Sequence, residues 1–203
     1  GTEIYNKVLG MIGCGNIGSL VLERCLGLKM KVNVYDPYLS KEEVNKLGAG
    51  KVDLDTLLES SDFVTLHTPM TDQTRNILSK NNLLKCKKGV RIINCARGGL
   101  IDEEDLIELI KNGHIAGAAL DVFLDEPPTN QTLFGHENLI LTPHLGASTS
   151  EAQENVAIQI AQQISDYLNH DVITNSINVS PISIEEAPKL KTFLELGLKL
   201  GKF

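Results

Sequence analysis

The chain of 203 residues has no tryptophan, only four arginines, and four cysteines that share no CxxC pair. Cys14, Cys25, Cys86 and Cys95 have no histidine at metal-ligand spacing, so neither a zinc site nor a disulfide framework is suggested. No metal is expected, and a reducing cytosol fits. There is no signal peptide and no apolar run long enough to span a bilayer, which speaks against a membrane protein. Positive charge is also short. A net charge of −7 leaves no electrostatic footprint for nucleic acid or an anionic membrane surface, so any phosphate affinity must be local. The first residue is Gly1 rather than methionine, which gives the expectation that the chain is a piece of something longer.

What the chain does have is glycine in one telling arrangement. A short apolar run at 8–12 is followed by Gly13, Gly15 and Gly18, then by helical apolar spacing over 17–30 and a second extended run at 31–35 that ends on Asp36. The first glycine allows a tight turn out of the strand. The second lets the backbone approach a pyrophosphate, and the third lets helix and strand pack closely. The anion would sit on the helix N-terminus, where unpaired N–H groups and the helix dipole favour negative charge. Asp36, 18 residues past Gly18, stands where an acid meets a ribose 2′-hydroxyl. It would repel a 2′-phosphate, and Pro37 and Tyr38 supply no cation, so NAD is favoured over NADP. The competing reading is a plain βα turn with Asp36 as a solvated charge at a strand end.

The remaining sequence continues the alternation. Ser40 can cap a helix over 40–47 and Asp53 one over 53–58, before a strand at 62–67. A short helix at 79–85 precedes a strand at 90–93. Asp102 caps a helix over 102–111 with acids in its first turn, and Asn112-Gly113 ends it. Strands follow at 115–122 and 139–141, then a long amphipathic helix over 150–169. Six strands alternating with helices predict an α/β fold: a doubly wound parallel sheet of the Rossmann type, three layers deep, in the order 3-2-1-4-5-6. The expected organisation is a dinucleotide-binding domain over 1–179 and a tail over 180–203. Pro181 breaks the chain, and 184–203 reads as an amphipathic helix with Leu190, Phe193, Leu194 and Leu198 on one side.

In such sheets ligands collect outside the carboxyl ends of the strands, and the unusual residues fall at those ends. If NAD is bound, hydride transfer from an alcohol needs a base for the hydroxyl proton. Of five histidines, His114 and His136 read as loop residues, His170 lies past a helix end and His67 ends a strand. His144 follows a proline at the mouth of the last strand and is the candidate base. A neighbouring carboxylate would orient it and favour imidazolium. Glu126 is the candidate, with Asp125 open beside it. An anionic substrate needs a cation, and Arg97 sits at a strand end before two glycines, whereas Arg24, Arg75 and Arg91 do not.

GxGxxG with Asp36, HTP at 67–69, NCARGG at 94–99, ALDVFLDEPP at 119–128 and TPHLGAST at 142–149 together resemble the D-isomer-specific 2-hydroxyacid dehydrogenases, over nearly the whole chain and in order. Within that family the wording is most similar to the branch that oxidises 3-phospho-D-glycerate to 3-phosphooxypyruvate with NAD, the entry to serine synthesis. The resemblance implies Arg97, Glu126 and His144 as catalytic residues. It implies cofactor contacts at Asn16, Ile17, Asp36, Thr68, Cys95, Ala96, Arg97, Asp121, His144, Leu145, Gly146 and Ala147, beside Gly13, Gly15 and Gly18. Asn16 stands where relatives often carry arginine, which removes a cation near the pyrophosphate. The family places a substrate domain before this segment and returns to it near the end, here from about Ser180. The expectation is a cytoplasmic homodimer whose cofactor half, alone, binds NAD but turns over poorly. Two other readings stand beside this one: a dehydrogenase for glycerate or glyoxylate, and an NAD-gated corepressor-like binding protein.

Overall fold

The computed structural model describes residues 1–170, 172–176 and 187–202, and divides into two compact units, Gly1–Gly146 and Ala147–Phe203. In the first, strands and helices alternate: β1 (Val8–Ile12), α1 (Asn16–Gly27), β2 (Lys31–Tyr35), α2 (Lys41–Lys46), β3 (Gly50–Lys51), α3 (Leu54–Ser60), β4 (Phe63–Leu66), α4 (Lys80–Lys85), β5 (Val90–Asn94), α5 (Glu103–Lys111), β6 (Ile115–Leu120) and β7 (Leu139–Leu141). All pairings are parallel, in the order β3-β2-β1-β4-β5-β6-β7. Each strand therefore delivers its carboxyl end to the same rim.

The doubly wound order is present, with one correction. The six strands expected from sequence run 2-1-3-4-5-6. The outermost position belongs to β3, a two-residue strand at Gly50–Lys51 that the sequence reading passed over. Nothing in a Gly-Lys pair carries the apolar period that identifies a strand. It is held by the register of Asn33 with Gly50 and Val34 with Lys51.

Alternation along the strands sorts the core into two layers. Leu9 and Met11 of β1, with Val32 and Val34 of β2, pack with Leu22 of α1 and Val44 of α2. Ile12 of β1 joins Val64, Leu66, Ile92 and Leu120 in a larger cluster with α3 and with Leu106, Ile107, Leu109 and Ile110 of α5. Strands buried on both faces read as near-continuous apolar runs, and burying each such side chain contributes about 1.5–3 kcal/mol.

The helix starts follow their caps. Ser40 and Glu43 form a capping box on α2, while Asp53 and Asp102 accept the Thr56 and Asp105 N–H groups at the heads of α3 and α5. α1 ends three residues before the expected limit. Lys29, at φ 62°, takes the left-handed place that glycine usually fills, and the N–H groups of Lys29 and Met30 donate to Leu26 O and Cys25 O. Met30 is then buried outside the helix that its spacing appeared to extend.

The second unit carries α6 (Ser150–His170) and α7 (Ala187–Leu200). The boundary at 179/180, Pro181 and the first residues of the helix expected from 184 lie outside the described residues. No helix among the described residues is long and apolar enough to cross a membrane.

Candidate active site

The glycine turn leaves β1 at Gly13, whose φ is 87° and whose N–H donates to Tyr35 O at 2.9 Å. A Cβ there would stand 2.7 Å from His67 O, so both the dihedral and the neighbouring backbone require glycine. A Cβ on Gly18 would meet Gly13 O at 2.7 Å, which is the close packing of helix on turn. Around Gly15 there is open space within 4 Å, and no side chain caps α1. The opening turn of α1 thus presents backbone N–H groups that are unpaired within the helix to a groove of about 400 Å³, lined by Gly13, Gly15, Asp36, Pro37, Thr68 and Pro69 among others.

Asp36 is buried at the end of β2. Its Oδ2 accepts from Cys14 N at 2.9 Å and its Oδ1 from Tyr38 N at 2.8 Å. The carboxylate ties the glycine turn to the loop after β2, a role the sequence did not reveal. Each oxygen keeps a further lone pair that a ribose hydroxyl can use. Across the groove, His67 is hydrogen-bonded through Nε2 to Thr65 Oγ1 at 3.1 Å, and burial pushes its pKa down, so it is a neutral wall. Asn16 and Ile17 are exposed on the first turn of α1.

At the end of β5, Asn94 is buried and closes the next turn. Its side chain donates to Arg97 O at 2.9 Å and accepts from Ala96 N at 3.1 Å. Arg97 projects from this turn into solvent. The only polar contact of its side chain among the described residues is Nη1 donating to Ala96 O at 2.6 Å, and it makes no ion pair with them. Cys95 is exposed, its thiol pushed up by partial burial and by Asp121. Gly98 lies so close to the loop after β6 that a Cβ would stand 1.7 Å from Phe123 O. The Arg97 turn and the Phe123–Glu126 loop are therefore packed backbone to backbone.

Glu126 and His144 meet. His144 Nδ1 lies 2.7 Å from Glu126 Oε2, and Glu126 Oε1 accepts from Phe123 N at 3.2 Å. The His144 hydrogen bond first, and the Phe123 N–H next, hold the Glu126 carboxyl below its usual range. Glu126, not Asp125, is the partner; Asp125 instead accepts from the Thr129 hydroxyl. His144 adopts φ 54°, a left-handed backbone rare for a residue with a side chain, where its N–H donates to Thr142 O.

Asp121, buried at the end of β6, supports that conformation. Its Oδ1 accepts from the Thr142 hydroxyl and from Leu145 N at 2.8 Å, and its Oδ2 from Gly146 N at 2.8 Å. Burial pushes the carboxyl up, but these hydrogen bonds and nearby His144 outweigh it and hold it below the ordinary range. A depressed folded value contributes stability that is complete above the unfolded carboxylate pKa of about 3.9 and is lost as pH falls through the folded value. Asp121→Asn is expected to remove that dependence. Urea midpoints between about pH 4 and pH 2 should fall less steeply in the variant than in the parent, and equal slopes would overturn the assignment. Leu145, Gly146 and Ala147 are exposed beyond the turn.

Gly13, Asp36, Thr68, Arg97, Glu126 and His144 thus follow the ends of six parallel strands on one rim. Among the described residues no group of three His, Cys, Asp or Glu could hold a metal ion.

Residues 1–146 match the family model described as the D-isomer specific 2-hydroxyacid dehydrogenase, NAD binding domain. The chain is 45% identical over 201 residues to D-3-phosphoglycerate dehydrogenase of Bacillus subtilis, covering 99% of this chain and 38% of that protein. The chain therefore spans well under half the length of such relatives. It superposes on a glyoxylate reductase from Paecilomyes thermophila with a TM-score of 0.80 and 31% identity, covering 88% of this chain and 54% of the other. It also superposes on a D-isomer specific 2-hydroxyacid dehydrogenase from Lactobacillus delbrueckii ssp. bulgaricus in NAD-complexed form, with a TM-score of 0.74 and 34% identity over 83% of this chain and 55% of that one.

Proposed function

The chain belongs to the D-isomer-specific 2-hydroxyacid dehydrogenases, through their NAD-binding domain, and from that premise we propose that it carries the cofactor and proton-transfer half of an enzyme oxidising 3-phospho-D-glycerate to 3-phosphooxypyruvate. The observation that carries the proposal is the 2.7 Å contact between His144 and Glu126, on the rim that also bears the glycine turn and Arg97.

NAD, when bound, takes the hydride from the hydroxyl-bearing carbon. The residues here do the rest. The open backbone at Gly15 and the N-terminus of α1 receive the pyrophosphate, and Asp36 receives the adenosine ribose. The Arg97 fork pairs with the substrate carboxylate, which fixes the reacting carbon against the rim. With Nδ1 on Glu126, Nε2 of His144 meets the substrate hydroxyl and takes its proton. The imidazolium that forms lies beside a carboxylate that stays ionised at neutral pH, which favours the charge-separated transition state.

The phosphorylated substrate is favoured by the relatives that match almost the entire chain, and glycerate or glyoxylate is the second reading, favoured by the structural likeness to a glyoxylate reductase. NADH formation by the whole protein with 3-phospho-D-glycerate and with D-glycerate separates them; a faster reaction with D-glycerate would overturn the first. For the cofactor, calorimetric titration with NADH and NADPH is expected to favour NADH. Asp36→Ala should cut that preference about 10- to 100-fold, the worth of a hydrogen bond to a charged group. An unchanged preference would remove Asp36 from the site. The proposal includes a homodimer. Val156, Ile160, Ile164 and Tyr167 recur at helical spacing on α6 and are exposed. Sedimentation of the whole protein as a monomer would exclude that part.

A further inference from the structure

We propose that Glu103 is a positioning residue for the Glu126–His144 pair, because its carboxylate holds the backbone of the loop that carries Glu126. Glu103 opens α5, the helix capped by Asp102 and anchored through Leu106, Ile107, Leu109 and Ile110 in the larger core layer. Its Oε1 accepts from Leu124 N at 2.8 Å. Among the described residues, and apart from the Glu126–His144 contact itself, this is the one hydrogen bond that ties the stretch from Val122 to Pro128 to another part of the fold, since Phe123 N donates to Glu126 within the loop. Phe123 is buried and its carbonyl lies against Gly98, so the chain at 123–124 is fixed on one side by packing and on the other by Glu103. Two residues further on, Glu126 reaches His144. Without Glu103 the Leu124 N–H faces a groove of about 340 Å³ lined by Asp102, Glu104, Asp125 and Asn130, and the loop has no polar anchor to α5.

The placement costs Glu103 something. Burial, then the negative charges of Asp125 and Asp102, push its carboxyl up, against the lowering effect of the Leu124 N–H. A half-buried acid held among other acids is unfavourable unless the hydrogen bond it accepts is needed.

The inference rests on the dehydrogenase reading only for what the pair does, and the test reads the pair directly. Carboxyl carbon NMR of the chain follows the titration of Glu126, which faces His144, Asp121 and the Phe123 N–H. In Glu103→Ala, Glu126 is expected to titrate higher, in the ordinary glutamate range, as its contacts loosen. Loss of a nearby negative charge alone would move it the other way, so the direction separates positioning from electrostatics. Glu103→Gln keeps an oxygen for Leu124 N and should restore the parent titration; Glu104→Ala, an exposed neighbour, should leave it unmoved. In the whole protein, Glu103→Ala should lower kcat about 10- to 100-fold with KM for NAD unchanged, the expected effect of misplacing a proton-transfer group. A Glu126 titration unmoved in folded Glu103→Ala, or equally displaced in Glu103→Gln, overturns the proposal. If the parent protein transfers no hydride while Glu126 still follows Glu103, the positioning role stands and the dehydrogenase reading falls.

Discussion

His144→Gln is expected to lower the rate of hydride transfer by about 10²- to 10⁴-fold, the usual contribution of a positioned general base, while NADH still binds. The separation follows from the geometry. His144 is reached from β7 and paired with Glu126, whereas the groove beside Gly13, Asp36 and Thr68 is built from β1, β2 and β4. Stopped-flow NADH formation by the whole protein, set beside calorimetric NADH binding, reads the two effects apart. Glu126→Gln should be milder, since the amide oxygen can still accept from Nδ1 but no longer carries the charge that stabilises imidazolium. A His144 variant with parental rates would end the assignment of His144 as base, and equal losses of binding and rate would indicate a structural role.

Gly98→Ala should be the most damaging small substitution in the chain. The added carbon would lie 1.7 Å from Phe123 O and 2.2 Å from Phe123 C, and a backbone cannot swing aside as a side-chain tip does. Overpacking of this kind costs about 1–3 kcal/mol, or more where nothing yields. Relief requires the Arg97 turn and the Phe123–Glu126 loop to separate, so catalysis should fall together with stability. Gly27→Ala, in the last turn of α1 with open space around it, is the control and should be neutral or stabilising by up to about 1 kcal/mol. Urea midpoints of the two variants decide the matter, and an unaffected Gly98→Ala would mean that the two loops are not held against each other.

Much of this was legible in the chain because the information was local. Ser40, Asp53 and Asp102 cap their helices with side chains that bond three residues ahead, so type and spacing sufficed. Arg97, Glu126 and His144 stood out as ionisable or basic groups next to glycine and proline at strand ends. What escaped notice was conformation without a characteristic residue. α2, α5 and α1 all end in the same left-handed turn, but only the first two announce it, with Gly48 and Gly113; α1 uses Lys29. β3 escaped because two residues have no period, and with it went the true place of the third strand. By type and position Asp36 and Asp121 suggest ligand contacts and Glu103 a helix-dipole acid. Their first duty is to hold backbone N–H groups 2 to 25 residues away, a pairing fixed only by the fold.

The unequal exposure of the thiols offers a practical handle. Cys14 and Cys86 are buried, the latter pushed up to about 12 by burial, and Cys25 is partly covered, while Cys95 alone is exposed, two residues before Arg97. At mildly alkaline pH a single maleimide dye should therefore attach at one defined point beside the proposed reaction centre, without engineering. In a chain without tryptophan, that label would turn occupancy of the cleft into an optical signal.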